Sequence, residues 1–444
     1  MKRRWIVYGG LIVAIVAVGV LVLGNKSSTP VPMVWKYPIP WLVGDAFAAS
    51  TNDTVYVRTF GGELIAIDRN GRKQWTSPAG VWCDSEPIVG NDGTIYFRTI
   101  LQRPLPSKSG PNSWRHALFA VRPDGSVKWR RAIDGIVSDE FALAIGGDGS
   151  VLFGNTNGYI GAINLDGTDA WSLSAGAIVG APVTSAKGSL FFSGGPGLFR
   201  GPETVFCVDS NRRSLYSATG ADWGWSKLSV DWDETVYVPG ESNKTMRAFK
   251  ADGSVKWTYA TSSRAFSAPT IADDGSLYFT FNVSRENARL CALDHDGKKK
   301  WELPLGKHWS MKPPVIASDG TLFVVSSDPK VTAVNPDGTV KWVFRPPSHR
   351  LEVSRLIYWR DFKELWRKLF PDTQNSFVTS PVLTSQGVLY VGFGGPYNML
   401  YALRVGVGPS TNSPWPMEGA NAQRTRHVAE PRKVRKGTNQ FNRE

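Results

Sequence analysis

Cysteine is scarce in this chain of 444 residues: Cys83, Cys207 and Cys291 stand far apart, and no Cys-x-x-Cys pair occurs. That excludes a disulfide framework and a cysteine-built metal site. The five histidines, His116, His295, His308, His349 and His427, show no metal-ligand spacing. Neither Gly-x-Ser-x-Gly nor a Walker loop is present, nor a Gly-x-Gly-x-x-Gly placed between a strand and a helix. The local signatures of a hydrolase elbow and of phosphate cradles are therefore missing. Asp294-His295-Asp296-Gly297 starts like a calcium loop but lacks the later ligands, and reads as a hairpin turn. Charge is low, at 20% of residues, while Gly (45), Pro (29) and Trp (18) are plentiful. Many short strands joined by turns fit that balance, and a helical bundle does not.

Long apolar runs are equally rare, with one exception. Trp5 to Gly24 is twenty residues without a charge, behind Met1-Lys2-Arg3-Arg4. That length spans a bilayer core as a helix, and the exit Leu21-Val22-Leu23-Gly24-Asn25-Lys26 lacks an Ala-x-Ala cleavage pattern. Residues 1–24 are expected to be an uncleaved signal anchor and transmembrane helix, followed by a linker over 25–33. Lys2, Arg3 and Arg4 against a single Lys26 put the N-terminus in the cytoplasm. The chain is then a single-pass membrane protein whose remainder is periplasmic or extracellular.

What is abundant is repetition. Val334-Asn335-Pro336-Asp337-Gly338-Thr339-Val340-Lys341-Trp342 reads as a strand end, a tight turn and a second strand. The unit recurs, and its signature aromatics Trp35, Trp75, Trp129, Trp171, Tyr216, Trp257, Trp301 and Trp342 are spaced by 40, 54, 42, 45, 41, 44 and 41 residues. Six of these intervals fit one four-stranded propeller blade, and the long one carries an insertion. An upstream turn leads into strands apolar on both faces, such as Leu322-Phe323-Val324, as expected for sheets packed between neighbouring sheets. Cys207 takes the place that Ala holds in other repeats, and Cys291 directly precedes that place two repeats later; both read as small core residues.

The last repeat has strands A, B and C (381–383, 388–391 and 399–403) but no D, while Val34-Trp35-Lys36 is a D strand with nothing before it. Docking the second on the first closes a ring and removes an open edge. The fold class is all-β: an eight-bladed β-propeller of four-stranded blades over 34–405, with the N-terminal transmembrane helix before it and a basic C-terminal tail over 406–444. If D runs from bottom to top, A-to-B and C-to-D turns share the bottom. The long connections 99–114, 194–203 and 282–288 (B-to-C) and 344–375 (D-to-A) all fall on top, where function is expected.

The largest connection contains a helical pattern. Tyr358, Trp359, Phe362, Leu365, Trp366 and Leu369 share one face, with Arg360, Glu364, Arg367 and Lys368 opposite. Three roles fit this amphipathic basic helix: packing on the propeller top, docking a partner, or lying on a membrane. Tyr358, Trp359, Arg360, Phe362, Leu365, Trp366, Arg367 and Leu369 are the candidate partner-binding residues.

The net charge of +13 invites a nucleic-acid reading. Residues 1–34 hold +4, 344–375 hold +3 and 415–444 hold +4, which leaves +2 on the rest. A nearly neutral body has no phosphate-tracking groove, so no nucleic-acid partner is expected. The tail, with Arg432-Lys433-Val434-Arg435-Lys436, fits contact with anionic lipid or a solvated state.

The recurring Ala-x-Asn/Asp-x-Asp-Gly-x-x-x-Trp unit, as in Ala333 to Trp342, resembles the PQQ-like repeat, over about residues 34–405. That repeat occurs in quinoprotein dehydrogenases and in BamB-type lipoproteins of outer-membrane assembly. The adjacent Cys-Cys pair of many such dehydrogenases is absent, and so is a cysteine near the N-terminus that could carry a lipid. Pro414-Trp415-Pro416-Met417 with Gln423-Arg424-Thr425 is similar to a segment that ends some bacterial PQQ-like proteins. Rigid repeats, one elaborated face and the lack of a local catalytic motif point to a scaffold binding protein partners through the top face, for which no catalytic residues, metal or cofactor are expected, and the resemblance implies a place in envelope protein assembly. The alternative it carries is an enzyme or receptor holding pyrroloquinoline quinone with calcium, or another small ligand, in the central funnel; a third reading is a glycan or cell-wall polymer binder.

Overall fold

The computed structural model describes residues 31–428 except 40–41, 60, 79–85, 103–114, 134–141, 156, 176–177, 196–202, 222–227, 241–243, 263–266, 285–286, 307–311, 348–377, 395–397, 414–415, 418, 422–423 and 425. The chain divides into two compact units, Met1–Val31 and Pro32–Glu444. The expected anchor over 1–24 lies outside the described residues. Among those that are described, no helix is long and apolar enough to cross a membrane.

The second unit is an eight-bladed propeller built from eight antiparallel sheets, each with four strands in A-B-C-D order. Blade 7 shows the logic: A (Val315–Ile316), B (Leu322–Ser326) and C (Lys330–Val334) are buried throughout, while D (Val340–Phe344) is half exposed. Strands A therefore surround the central axis and strands D form the rim. The fourth sheet carries an additional short pairing, Ile178–Val179 against Leu190–Gly195.

Each signature position has a packing reason. In the Val334–Trp342 hairpin, Gly338 N–H donates to Asn335 O (2.9 Å) and Asn335 N–H to Thr339 O (2.8 Å), with Gly338 at φ 88°. This is a tight turn whose fourth residue must take the left-handed region. Thr339 donates to the Asp337 carboxylate from its hydroxyl (2.6 Å) and its amide (2.9 Å), which holds that carboxyl below its ordinary range. Register then places Phe323, Ala333 and Trp342 in one row across B, C and D, with ring centroids 5.6 Å apart. A small middle residue lets the two rings meet above it. The row recurs as Tyr56-Ala66-Trp75, Tyr96-Ala120-Trp129, Tyr237-Ala248-Trp257 and Tyr278-Ala292-Trp301. In blade 4 it reads Phe191-Cys207-Tyr216, so Cys207 fills the alanine place beside a smaller aromatic, and both Cys207 and Cys291 are buried as expected.

A bulge precedes the aromatic in all eight blades, for example between Ala333 and Val334 opposite Val340–Trp342, and between Met33 and Trp35 in blade 8. Bulges re-aim side chains, and the bulged lysines Lys128, Lys300 and Lys341 reach the A-to-B turn aspartates of their own blades, Asp92, Asp274 and Asp319, at 3.1, 3.4 and 3.0 Å.

Blades are joined by the same tryptophans. Trp257 Nε1 donates to His295 O in blade 6 at 3.0 Å, and its ring lies so close over Gly297 that a Cβ there would be 2.5 Å from Cδ2. Trp75, Trp129 and Trp301 repeat this on Gly125, Gly167 and Gly338. The segment Met33–Pro38 pairs with Met399–Arg404 and completes blade 8, and Trp35 then docks on Gly71 of blade 1 through Nε1 to Arg69 O (2.9 Å). Ring closure is thus as expected, made by the same contact as the junctions at Trp75, Trp129, Trp257 and Trp301.

Two connections differ from their expected form: the one expected over 99–114 starts as paired strand, which runs to Gln102 opposite Arg115. Residues 282–288 are a lengthened hairpin rather than a loop, because Leu277–Ser284 and Asn287–Leu293 stay paired out to Ser284 and Asn287.

Candidate functional site

The helical pattern over 358–369 falls outside the described residues, and with it Tyr358, Trp359, Arg360, Phe362, Leu365, Trp366, Arg367 and Leu369. What the structure gives is the root of that connection. Phe344 ends strand D of blade 7 edge-on to Tyr401 of blade 8, with centroids 6.1 Å apart. Arg345 donates to Asp328 O at 3.3 Å and lies 3.4 Å from its carboxylate, which also holds Lys330 at 3.1 Å. Asp328 sits between Leu322–Ser326 and Lys330–Val334, in the B-to-C turn. The connection therefore leaves from the top face, tied to the blade by an ion-paired cluster.

The centre of the ring is occupied. Residues 406–428, part of the expected basic tail, are not a solvated extension but a strap across the inner strands. The reason is local pairing plus buried charge. Ser318 N–H donates to Gly408 O (2.9 Å), Ser410 N–H to Ile316 O (3.0 Å) and Ile316 N–H to Pro416 O (2.8 Å), all on blade 7. On blade 6, Ser410 Oγ donates to Asp273 and Ser413 Oγ to Ile271 O. Arg424 Nη1 donates to Glu86 Oε2 in blade 2 at 2.6 Å and Nη2 to Ser380 O in blade 8 at 3.2 Å, with its guanidinium 5.8 Å from the Phe47 ring of blade 1. Arg426 Nη2 donates to the other Glu86 oxygen. The strap ends on blade 4, where Thr184 N–H donates to Arg426 O (3.1 Å) and Val428 N–H to Thr184 O (3.0 Å). Six of the eight inner strands thus touch one segment.

Two adjacent blades depart from the repeat in their upper halves. Arg58 and Arg98 are buried at equivalent positions of strand B, opposite Leu64 and Leu118. The other blades hold Gly154, Ser193, Pro239, Thr280, Val325 and Gly392 there. Arg58 lies 5.9 Å over the Phe97 ring. His116 is buried in the same blade as Arg98; burial and then the Arg98 charge push it down to about 4, so the imidazole is neutral at pH 7. A charged residue inside an otherwise apolar strand, as in Ile95-Tyr96-Phe97-Arg98, was the available sequence signal. Glu86 left one too, standing where Ala142, Ala181, Ala268, Pro313 and Ser380 occur four residues before the A-to-B turn.

These groups limit the chemistry. Burial pushes both described thiols, Cys207 and Cys291, up to about 12, so neither is a nucleophile. Thr184 Oγ1 donates to Ile145 O (3.1 Å) and so accepts from His427 Nδ1 (2.8 Å), which leaves the imidazole no proton to take from it. Among the described residues, no three His, Cys, Asp or Glu are grouped to hold a metal ion.

Comparison with known proteins agrees with the architecture. The family model described as outer membrane protein assembly factor BamB matches residues 33–211, 156–343 and 280–395. BamB from Moraxella catarrhalis is similar in structure, with 13% identity, a TM-score of 0.55, and 84% of this chain and 99% of that one covered. A catalytically inactive virginiamycin B lyase from Staphylococcus aureus, solved with quinupristin, matches at 10% identity and a TM-score of 0.47, covering 72% of this chain and 94% of that one. No curated protein sequence matches.

Proposed function

We propose that this chain, which belongs to the family of the outer membrane protein assembly factor BamB, is a scaffold held to a membrane by residues 5–24 that binds protein partners through its top face, in envelope protein assembly. The observation that carries the reading is the contrast between the two faces. Bottom turns are short and internally bonded, as at Asn335–Thr339, and the strap fills the hub. The longest connection, by contrast, leaves from the top at Arg345. A rigid ring with one elaborated face suits docking, since the ring positions the loops and the loops make the contacts. Pro32 enters blade 8 from the bottom through Arg404 N–H to Pro32 O (2.9 Å), and Val428 leaves there beside Thr184. The basic residues Arg432, Lys433, Arg435 and Lys436 follow, and contact anionic headgroups near that face.

The test is crosslinking in native membranes with the full chain, with a form lacking 344–375, and with Trp359→Ala/Trp366→Ala. Loss of top-face partners in both altered forms is expected; an unchanged partner set refutes the docking role.

A second reading is a small polar ligand held in a cup above the strap that fills the hub. Calorimetric titration with pyrroloquinoline quinone and Ca²⁺ separates the two, because saturable binding favours the cup and none favours the scaffold.

A further inference from the structure

Four features of the strap point the same way. First, it carries three non-glycine residues in the left-handed region, Ala420 (φ 68°), Arg424 (φ 57°) and Arg426 (φ 52°). Such residues are held there only by surrounding contacts. Second, two of the three are the arginines that meet Glu86, and both their side chains are almost fully removed from solvent. Third, among the described residues its backbone hydrogen bonds to the blades number five, and four of them are made to the short two-residue inner strands Val183–Thr184 and Val315–Ile316, whose other edges belong to full blade ladders. Fourth, its buried apolar side chains among the described residues are few: Pro416, Met417, Ala420 and Val428. A segment with little apolar burial, strained backbone and a charge-based lock has a low opening free energy compared with the sheets around it.

We infer that residues 408–428 form a latch: one cooperative unit that seats in the hub, is locked by Glu86 between Arg424 and Arg426, and releases as a body while all eight blades stay folded. The lock is electrostatic in a specific sense. With Glu86 present, its two oxygens neutralise two guanidinium groups in a site without water access. Without it, the strap would bury two cations against each other, so it leaves the hub instead, and the arginines regain water. Release uncovers the free edges of the inner strands of blades 4 and 7 and opens the hub from end to end.

Glu86 is the informative position because six of its seven equivalents are small and neutral and the seventh, Lys227, is a cation, so a blade does not need a carboxylate there for its own folding. This makes Glu86→Ala a blade-compatible substitution that removes the lock alone. Glu86→Leu combined with Arg424→Met and Arg426→Leu removes the charges on both sides. Replacing a buried ionic group by apolar residues of similar volume is often neutral, whereas removing one partner is strongly destabilising.

Hydrogen exchange on the full chain, read with increasing denaturant, tests this. The amides of Thr184, Ile316, Ser318, Ser410 and Val428, which form the strap's hydrogen bonds, are expected to exchange together, and faster than the B-to-C ladder amides of blades 4 and 7. In Glu86→Ala the five are expected to exchange about a hundred- to a thousand-fold faster with the ladder amides unchanged, and the triple variant should return them to within about tenfold of the original. Exchange of the five amides only together with the ladders in the unaltered protein overturns the latch. So does a Glu86→Ala chain that does not fold, or a triple variant that exchanges as fast as Glu86→Ala.

Discussion

Replacing Gly297 with alanine isolates the contact that joins blade to blade. The new methyl would lie 2.5 Å from Trp257 Cδ2 and 2.8 Å from Cγ, where carbon atoms prefer about 3.5–4.0 Å. The indole must retreat by about 1 Å, which also draws Nε1 away from His295 O, now at 3.0 Å. Three costs combine: about 1 kcal/mol for a left-handed alanine, about 1–3 kcal/mol for overpacking and about 1 kcal/mol for the weakened hydrogen bond. The loss should be about 3–5 kcal/mol.

Gly149 supplies the control. Its φ of 84° matches the 80° of Gly297, yet the nearest atom to an added Cβ is Leu165 Cδ1 at 3.9 Å. Gly149→Ala should therefore cost only the backbone share, about 1 kcal/mol. Denaturant unfolding followed by far-ultraviolet circular dichroism gives both values under one set of conditions. Adding Trp257→Ala to each variant completes the comparison, because the indole should couple to Gly297→Ala by more than about 1 kcal/mol and to Gly149→Ala by almost nothing. Equal losses for the two glycines, or equal coupling, would refute the docking account.

Three further outcomes are expected. Arg212 (φ 65°) stands where other blades have this glycine, and its guanidinium lies 4.7 Å over the Trp171 ring; Arg212→Gly relieves the backbone and loses the stacking, so its unfolding midpoint should correspond to a change under about 1 kcal/mol. His116, pushed down to about 4 in the folded chain from 6.5, gives stability that is complete above 6.5 and lost as pH falls towards 4, because the unfolded chain takes a proton the folded one refuses. Over that window the loss is about 3 kcal/mol, and melts of His116→Gln beside the unaltered chain at pH 7 and 5 should show a shallower decline in the variant. With both thiols pushed up to about 12, a thiol reagent at pH 8 should modify Cys207 and Cys291 only after unfolding; rapid labelling of either in the folded protein would contradict their burial.

The blades were legible because each carries its own evidence. Ala333 and Trp342 lie nine residues apart and meet directly across C and D, so a period, a turn and a small residue opposite an aromatic can all be read from a short window. Closure was legible for a related reason, since an unmatched D strand at Trp35 and a blade lacking D point to each other. The strap was not. Arg424 and Glu86 are 338 residues apart, and nothing around either residue records the other. Counting charge along the sequence added Arg424 and Arg426 to a basic tail, because a sum registers sign and not partner. The odd residue was visible at Glu86, where a carboxylate stands at a position that is small in six other blades, but a deviation inside one repeat acquires meaning only when its neighbour across the hub is known.

The two non-repeating segments consequently act at opposite radii of one ring. Met33–Pro38 closes the rim by completing blade 8, and residues 408–428 cross the hub and touch the inner strands of six blades. Neither can form until residues 399–428 have been made, because blade 8 lacks its C strand and the hub its strap before then. Blades 1–7, by contrast, are built from pairings within about 50 residues and stack on the preceding blade through one aromatic residue, a tryptophan or, between blades 4 and 5, Tyr216, which is the local, additive architecture of repeat proteins. Ring closure is the step that converts this open stack into a body with no free blade edge, and it requires the most distant contacts in the chain, whose loop-closure entropy is the largest. The pairing of Met33–Pro38 with Met399–Arg404 and the contact of Arg424 with Glu86 are therefore the ones whose loss should leave blades 1–7 intact, the first opening the ring at its rim and the second opening the hub.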